Sequence, residues 1–247
     1  MPASAQAQEH SVPIRALGKL GLAVEGTFSA PGGLTGYIGQ AGGETTVVYV
    51  TADGAQVITG PMLDAAGNNL TERHIQRHRL AGQSQAVWNS LEAAAWVREG
   101  GDDAARVVYV ITDANCGFCN QFWQESQPYI GDAAQLRHVL VGIMAPTSLS
   151  KAARILAADD PTAALVEHKE RQYRDGGIEP LEPVPEAVKA RIQANEALMR
   201  EWGVHVTPTI IYKDRNGDVQ TFMGMPGAGL MAEDIYQQPE QARTRPP

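Results

Sequence analysis

Short runs of strand type, interrupted by turns, occupy residues 22 to 59 of this 247-residue chain, and longer runs with helical spacing are frequent in the remainder. Residues 11 to 21 (SVPIRALGKLG) place Ile14, Leu17 and Leu20 on one helical face, with Gly21 as a stop. Leu22 to Phe28 then reads as a strand, Ala30-Pro31-Gly32-Gly33 as a turn, and Leu34 to Ile38 and Thr45 to Thr51 as paired strands. A further short run spans Gln56 to Thr59. Together they predict a small α+β domain over residues 11–67, with glycines that serve turns and no P-loop pattern. A sheet this small has exposed edges and a modest core, which dimerisation covers, so an assembly role is expected.

Residues 68–80 read as a helical linker. Asn69 or Thr71 can cap it, and Arg73 to Arg79 (RHIQRHR) is polar nearly all round, as suits a solvent-bridging segment rather than an anion site. Leu80 through Arg98, with Val87, Trp88, Leu91, Ala94 and Ala95, reads as one amphipathic stretch packing on the next domain.

The chemistry concentrates in Val107 to Trp123 (VVYVITDANCGFCNQFW). A β-branched run of strand length stops at Asp113-Ala114-Asn115, and Cys116-Gly117-Phe118-Cys119 opens a segment with apolar residues at helical spacing. Cys116 is therefore expected at a helix N-terminus, where unpaired N–H groups and the positive end of the helix dipole favour a thiolate. Cys119 is on the same helical face, in reach for a disulfide but deeper in the first turn, so Cys116 is the expected attacker and Cys119 the resolver. Asp113 either sets the local charge or caps the loop.

These two cysteines are the only ones in the chain. Structural zinc would need two more ligands, and the one HxxxH pair, His74 and His78, falls in a separate polar segment. A c-type haem needs histidine directly after the second cysteine, where Asn120 stands. An inert disulfide closing so short a loop would restrain the unfolded chain little. Redox chemistry is the expectation, with no metal and no cofactor.

Downstream, Leu136 to Ile143 reads as a buried strand carrying His138 as a core histidine, and Met144-Ala145-Pro146 ends it. Residues 146–202 read as a helical insertion, broken at Asp159-Asp160-Pro161 and between Gly176 and Pro185. Gly203 to Tyr212 is strand-like, Asn216-Gly217 turns into Val219 to Met223, and Gly229 to Tyr236 forms a last short helix, completing a domain over 81–238. Residues 1–10 and the tail from Pro239 read as disordered.

A net charge of −8 and a pI near 5.2 argue against nucleic-acid binding and a polybasic membrane contact, which leaves other proteins as partners. The start, MPASAQAQEH, has no basic region and no apolar core, hence no intact signal peptide, while Ala3-Ser4-Ala5 before Gln6 looks like the end of a cleaved leader.

In order, strand, CxxC helix, strand, helical insertion, strand, hairpin strand and helix make a thioredoxin fold with an insertion, of mixed α+β and α/β class. Thr207-Pro208 matches the second half of the thioredoxin signature. The chain resembles the periplasmic DsbC/DsbG family of thiol:disulfide interchange proteins over nearly its whole length, the DsbG branch most of all. The resemblance is carried by Ala30 to Gly33, Gly36-Tyr37, the Asp-x-x-Cys start at Asp113, Gln121 to Trp123, Leu140 to Gly142, and Val206 to Pro208. It implies a V-shaped homodimer held by the N-terminal domains, and a cis bond before Pro208 facing the cysteines. It also implies protein substrates with non-native disulfides or oxidised cysteines, and a DsbD-type membrane protein as reductant. Thr207 would pair its backbone with an extended substrate. Gly117-Phe118 departs from the Pro-Tyr of DsbG-like proteins towards the Gly-Tyr of the DsbC branch, and this pair tunes the redox poise. An isomerase or reductase is expected ahead of a dimeric chaperone, a thiol oxidase or a sulfenic acid reductase. His205, two residues before Thr207, is expected as an exposed strand histidine.

Overall fold

The computed structural model describes residues 12–19, 21–65, 67, 69–80 and 84–238; the two termini read as disordered lie outside the described residues. The chain divides into two units, residues 1–79 and 80–247.

In the first unit, helix α1 (Val12–Lys19) precedes four strands, β1 (Ala23–Ala30), β2 (Leu34–Ala41), β3 (Glu44–Val50) and β4 (Val57–Thr59). They form an antiparallel meander in the order β1-β2-β3-β4. Alternation sends Val48 and Val50 towards Ile14 of α1 and sends Val47 and Tyr49 to the opposite cluster, so β3 is buried on both faces. The second cluster is closed by helix α2 (Leu70–Leu80), which contributes Ile75. The helix expected to be polar all round therefore has an inward side. His74 stacks on Phe28 with ring centroids 3.6 Å apart, and Thr71 is buried and hydrogen-bonded to Tyr49. Phe28 in turn lies over Gly36, where any Cβ would strike its ring, which gives the Gly36-Tyr37 pair its reason.

The second unit starts with α3 (Ser84–Ala93) and holds a five-stranded sheet in the order β5-β7-β6-β8-β9. Its strands are β5 (Trp96–Glu99), β6 (Arg106–Asp113), β7 (Ala134–Val141), β8 (Thr209–Lys213) and β9 (Val219–Met223). The amphipathic stretch read through Arg98 is thus two elements: α3 ends at Ala93, and Trp96 to Glu99 pairs antiparallel with β7. Four residues of strand, ending in a buried glutamate, carry too little alternation to stand out beside a helix.

Strands β6 and β7 are parallel, joined by α4 (Gly117–Ser126); the other neighbours are antiparallel. Along β6, Val108 and Val110 face a core with Phe122 of α4, while Tyr109 and Ile111 face a core with Val87 and Leu91 of α3. Each such side chain, taken fully from water, contributes about 1.5–3 kcal/mol. The insertion, α5 (Ser148–Leu156), α6 (Pro161–Asp175) and α7 (Glu186–Glu201), packs its own core against Val97 and Leu140. A Cβ on Gly142 would stand 2.7 Å from the Leu149 Cα, so glycine there lets α5 begin close to the sheet. After β9, a helical turn Ala228–Leu230 runs into a π turn Met231–Ile235, where one regular helix was expected.

Asp113 and Val141 are partners at the ends of β6 and β7, and Ile111 of β6 pairs with Thr209 at the start of β8. The loops that follow β6 and β7 and the one that precedes β8 therefore meet at one end of the sheet.

Candidate redox active site

At that end Cys116 is the N-cap of α4, with extended backbone (φ −79°, ψ 113°), and it forms a disulfide with Cys119. The Cys119 N–H donates to Cys116 Sγ at 3.1 Å, and the Thr207 carbonyl oxygen lies 3.4 Å from the same sulfur. A helix N-terminus supplies such unpaired donors, and on reduction they favour the thiolate at Cys116. Only 1% of Cys116 is exposed, so a substrate sulfur reaches it only by lying against its surroundings. The Thr207–Pro208 peptide is cis, Pro208 is buried, and its carbonyl accepts from Gly224 N at 2.8 Å. Gly117 is the first helical residue of α4 and has open space where a Cβ would stand, and Phe118 is 64% exposed.

The Asp113 carboxylate is fully buried and accepts four hydrogen bonds, from Asn115 N and Ser148 Oγ on Oδ1 and from Ile143 N and Met144 N on Oδ2. It therefore ties the loop before Cys116 to the loop after β7. Asn115 extends this tie, donating to Thr147 and Ser148 and accepting from Lys151 Nζ.

Helix α6 grips the active-site loop from the other side. His168 Nε2–H donates to Ala114 O at 2.7 Å, Gln172 Nε2 to Cys116 O at 3.2 Å, and the Tyr173 hydroxyl to Gly117 O at 2.8 Å. His168 Nδ1 accepts from Ile178 N, which fixes the tautomer. Burial, then the nearby Lys169 and Lys151 charges, push this histidine down to about 4, so it is neutral at physiological pH. None of the three was singled out in the sequence. Spacing could have flagged them only together, as neighbours on one face of a mostly polar helix.

Behind α4 sits a second set of buried polar groups. Glu99 accepts from Trp123 Nε1 and lies 2.7 Å from His138 Nε2. Burial keeps His138 neutral against the pull of that carboxylate, so its Nε2–H donates to an ionised Glu99. His138 is thus a core histidine. The Lys169 amine, on the next residue after His168, is buried and has no hydrogen-bond partner; burial pushes it down to about 8, opposed by Glu99 and Asp113. His205 turns back on the carbonyl of Gly203 at 3.0 Å and takes no part in this arrangement. Among the described residues no group of three or more His, Cys, Asp or Glu could hold a metal ion.

Residues 95–238 match the family profile described as a thioredoxin-like domain, and residues 3–72 that of the disulfide bond isomerase protein N-terminal domain. The chain is 36% identical over 228 residues to the thiol:disulfide interchange protein DsbG of Pseudomonas aeruginosa, covering 92% of this chain and 89% of that one. The DsbG of Escherichia coli is 35% identical over 231 residues, with 92% and 91% covered. The chain belongs to the DsbC/DsbG family.

Identity to the DsbC branch is lower: the probable thiol:disulfide interchange protein DsbC of Bordetella parapertussis is 27% identical over 169 residues, 68% of this chain and 56% of that relative. Among solved structures the catalytic domain of Proteus mirabilis ScsC superimposes with a TM-score of 0.50 at 19% identity, covering 68% of this chain and 99% of that domain, which bears on the fold alone. Membership in the DsbC/DsbG family makes the protein a thiol:disulfide oxidoreductase and gives the Cys116–Cys119 pair its chemical context.

Proposed function

We propose that the protein is a periplasmic disulfide isomerase or reductase in which Cys116 attacks and Cys119 resolves. The observation that carries this reading is the position of Cys116 as N-cap of α4, its sulfur already accepting the Cys119 N–H. In the reduced protein the Cys116 thiolate attacks one sulfur of a substrate disulfide, and the other substrate sulfur leaves and takes up a proton. If a substrate thiol, either that one or one it has displaced from a second substrate disulfide, then attacks the substrate sulfur of the mixed disulfide, Cys116 leaves as the thiolate and pairing is exchanged with no net electron transfer. If Cys119 attacks Cys116 Sγ instead, two electrons pass to the substrate and the Cys116–Cys119 disulfide forms.

The Thr207 backbone beside the sulfur suits an extended substrate that adds along the loop before Pro208. Gly117 and Phe118 tune the thiolate through the first turn, and Asp113 acts by holding the loops in place. The oxidised pair needs an external dithiol to return it to the reduced state, for which a DsbD-type membrane protein is the proposed donor. A homodimer through the first unit is supported by the isomerase N-terminal domain match. Periplasmic location fits the family, and no helix among the described residues is long and apolar enough to cross a membrane.

The test is reactivation of a scrambled disulfide protein in glutathione buffer. Wild type should restore activity, Cys116→Ser should not, and Cys119→Ser should retain part of it. No reactivation by wild type would exclude the isomerase. A chaperone role is favoured by the exposed apolar side chains near the disulfide; it predicts that suppression of aggregation survives Cys116→Ser.

A further inference from the structure

Every large apolar side chain that stands exposed among the described residues of the second unit belongs to a segment adjoining the disulfide: Phe118, Ile143, Met144, Tyr173 and Val206. Hydrogen bonds join these segments to one another. Tyr173 donates to the carbonyl of Gly117, next to Phe118; Ile143 and Met144 donate their N–H groups to Asp113; the Thr207 hydroxyl, next to Val206, lies 3.4 Å from the Met144 sulfur. The Thr207 carbonyl lies 3.4 Å from Cys116 Sγ. Phe118 and Tyr173 are the most exposed, at 64% and 61%. Elsewhere the described part of this unit buries or half-buries its large apolar residues, so the exposure is local to the reacting sulfur.

We propose that this rim selects substrates whose reactive cysteine is flanked, two residues to either side, by bulky apolar side chains. The proposal rests on the interchange reaction of Cys116 and names the substrate that reaction prefers. Its occupant follows from the chemistry. Cys116 is almost fully covered, so a substrate sulfur arrives only when its own chain lies across the segments that carry the rim. In an extended chain, side chains two positions apart point the same way, about 6.5 Å from one another. A cysteine directed at Cys116 therefore sends its neighbours at two removed onto the same surface, while its immediate neighbours face away. Polar side chains at those positions would lose water without a partner on an apolar rim, and charged ones would lose more.

The probe is a set of short peptides, each with one cysteine as a mixed disulfide with glutathione, reacted with the reduced full-length protein and followed by single-turnover kinetics. Phenylalanine or leucine two residues either side of the cysteine should raise the rate on the order of 10-fold over serine at those positions. The same residues moved to the adjacent positions should have little effect. Tyr173→Ser and Met144→Ser should shrink the ratio between apolar and serine peptides, and because both side chains are exposed their loss leaves the core intact. Equal rates across the set, or an advantage that tracks the adjacent positions, overturn the rim and leave the interchange reaction standing. No exchange with any peptide or with oxidised glutathione overturns both.

Discussion

The Tyr173 hydroxyl donates to the Gly117 carbonyl at 2.8 Å, linking the insertion to the dipeptide between the two cysteines. The carbonyl oxygens of Cys116 itself and of Gly117 next to it carry partial negative charge, and the donors from Gln172 and Tyr173 offset it. Without them the thiolate is less favoured. Tyr173→Phe, which keeps the ring, should raise the Cys116 pKa by about half a unit, and Gln172→Leu should do so by a similar amount. A less stable thiolate means a less stable reduced form, so the reduction potential should fall by roughly 10–20 mV. Thiolate absorbance against pH and equilibration with glutathione read both quantities. A purely structural role would lower the melting temperature and leave them in place.

His168 makes the second unit sensitive to acid. Its folded pKa is about 4 against an unfolded 6.5, so between those values the unfolded chain binds more protons and stability falls as pH falls. The stabilisation is whole above pH 6.5, and its loss reaches ~3 kcal/mol once pH passes below the folded value. His168→Gln should flatten the melting temperature between pH 6.5 and 4 relative to wild type. Unchanged pH dependence would mean that other groups govern acid unfolding.

The sequence made the frame of the site legible because its signals are local. The β-branched run before Asp113 and the CxxC at a helix start each follow from a few consecutive residues and are where they were expected, whereas Thr207-Pro208, cis as the resemblance implied, and His205 precede a strand that begins at Thr209 and not at Gly203. Asp113 was readable as a cap or as a charge, and its carboxylate accepts four hydrogen bonds that tie two loops together. What escaped was non-local. His168, Gln172 and Tyr173 meet the loop from 54 and 56 residues away, and Glu99 pairs with His138 across strands 39 residues apart. The polar pattern of Arg73 to Arg79 concealed the inward stacking of His74, because one aromatic contact does not alter a hydrophobic period.

Lys169 should be a stability liability at neutral pH. Its amine is fully buried without a hydrogen bond, and its pKa is about 8 instead of 10.5. Below pH 8 the folded protein carries that ammonium in its interior; between pH 8 and 10.5 the unfolded chain holds the proton more tightly and stability from this group rises with pH. The difference of 2.5 between the two values corresponds to ~3 kcal/mol. Glu99 and Asp113 attract the charge and His168 adjoins it, so part of the penalty is already offset. Lys169→Met should stabilise the protein by about 1–3 kcal/mol at pH 7 and remove the alkaline rise. Chemical denaturation at pH 7 and pH 10 measures both. Destabilisation at pH 7 would show that the two carboxylates hold the ammonium better than a methionine fills its place.

The first unit ends its sheet on β4, a three-residue strand paired through Tyr49 and Ile58 to β3 and with no further strand beyond it among the described residues. Ile58 is 48% exposed and Leu63 57%, an apolar side and, among the described residues, an unpaired edge on the unit that matches the isomerase N-terminal domain. An edge of this kind is satisfied when a second copy pairs with it, and a two-fold interface sets each residue near its own mate. Ile58→Glu would then bring like charges together at the centre of the contact. Sedimentation should show a wild-type dimer at micromolar concentration and at least a tenfold weaker dimer for the variant, with partial recovery in high salt as the charges are screened. A variant that dimerises like wild type would move the interface away from β4, and a monomeric wild type would exclude the homodimer.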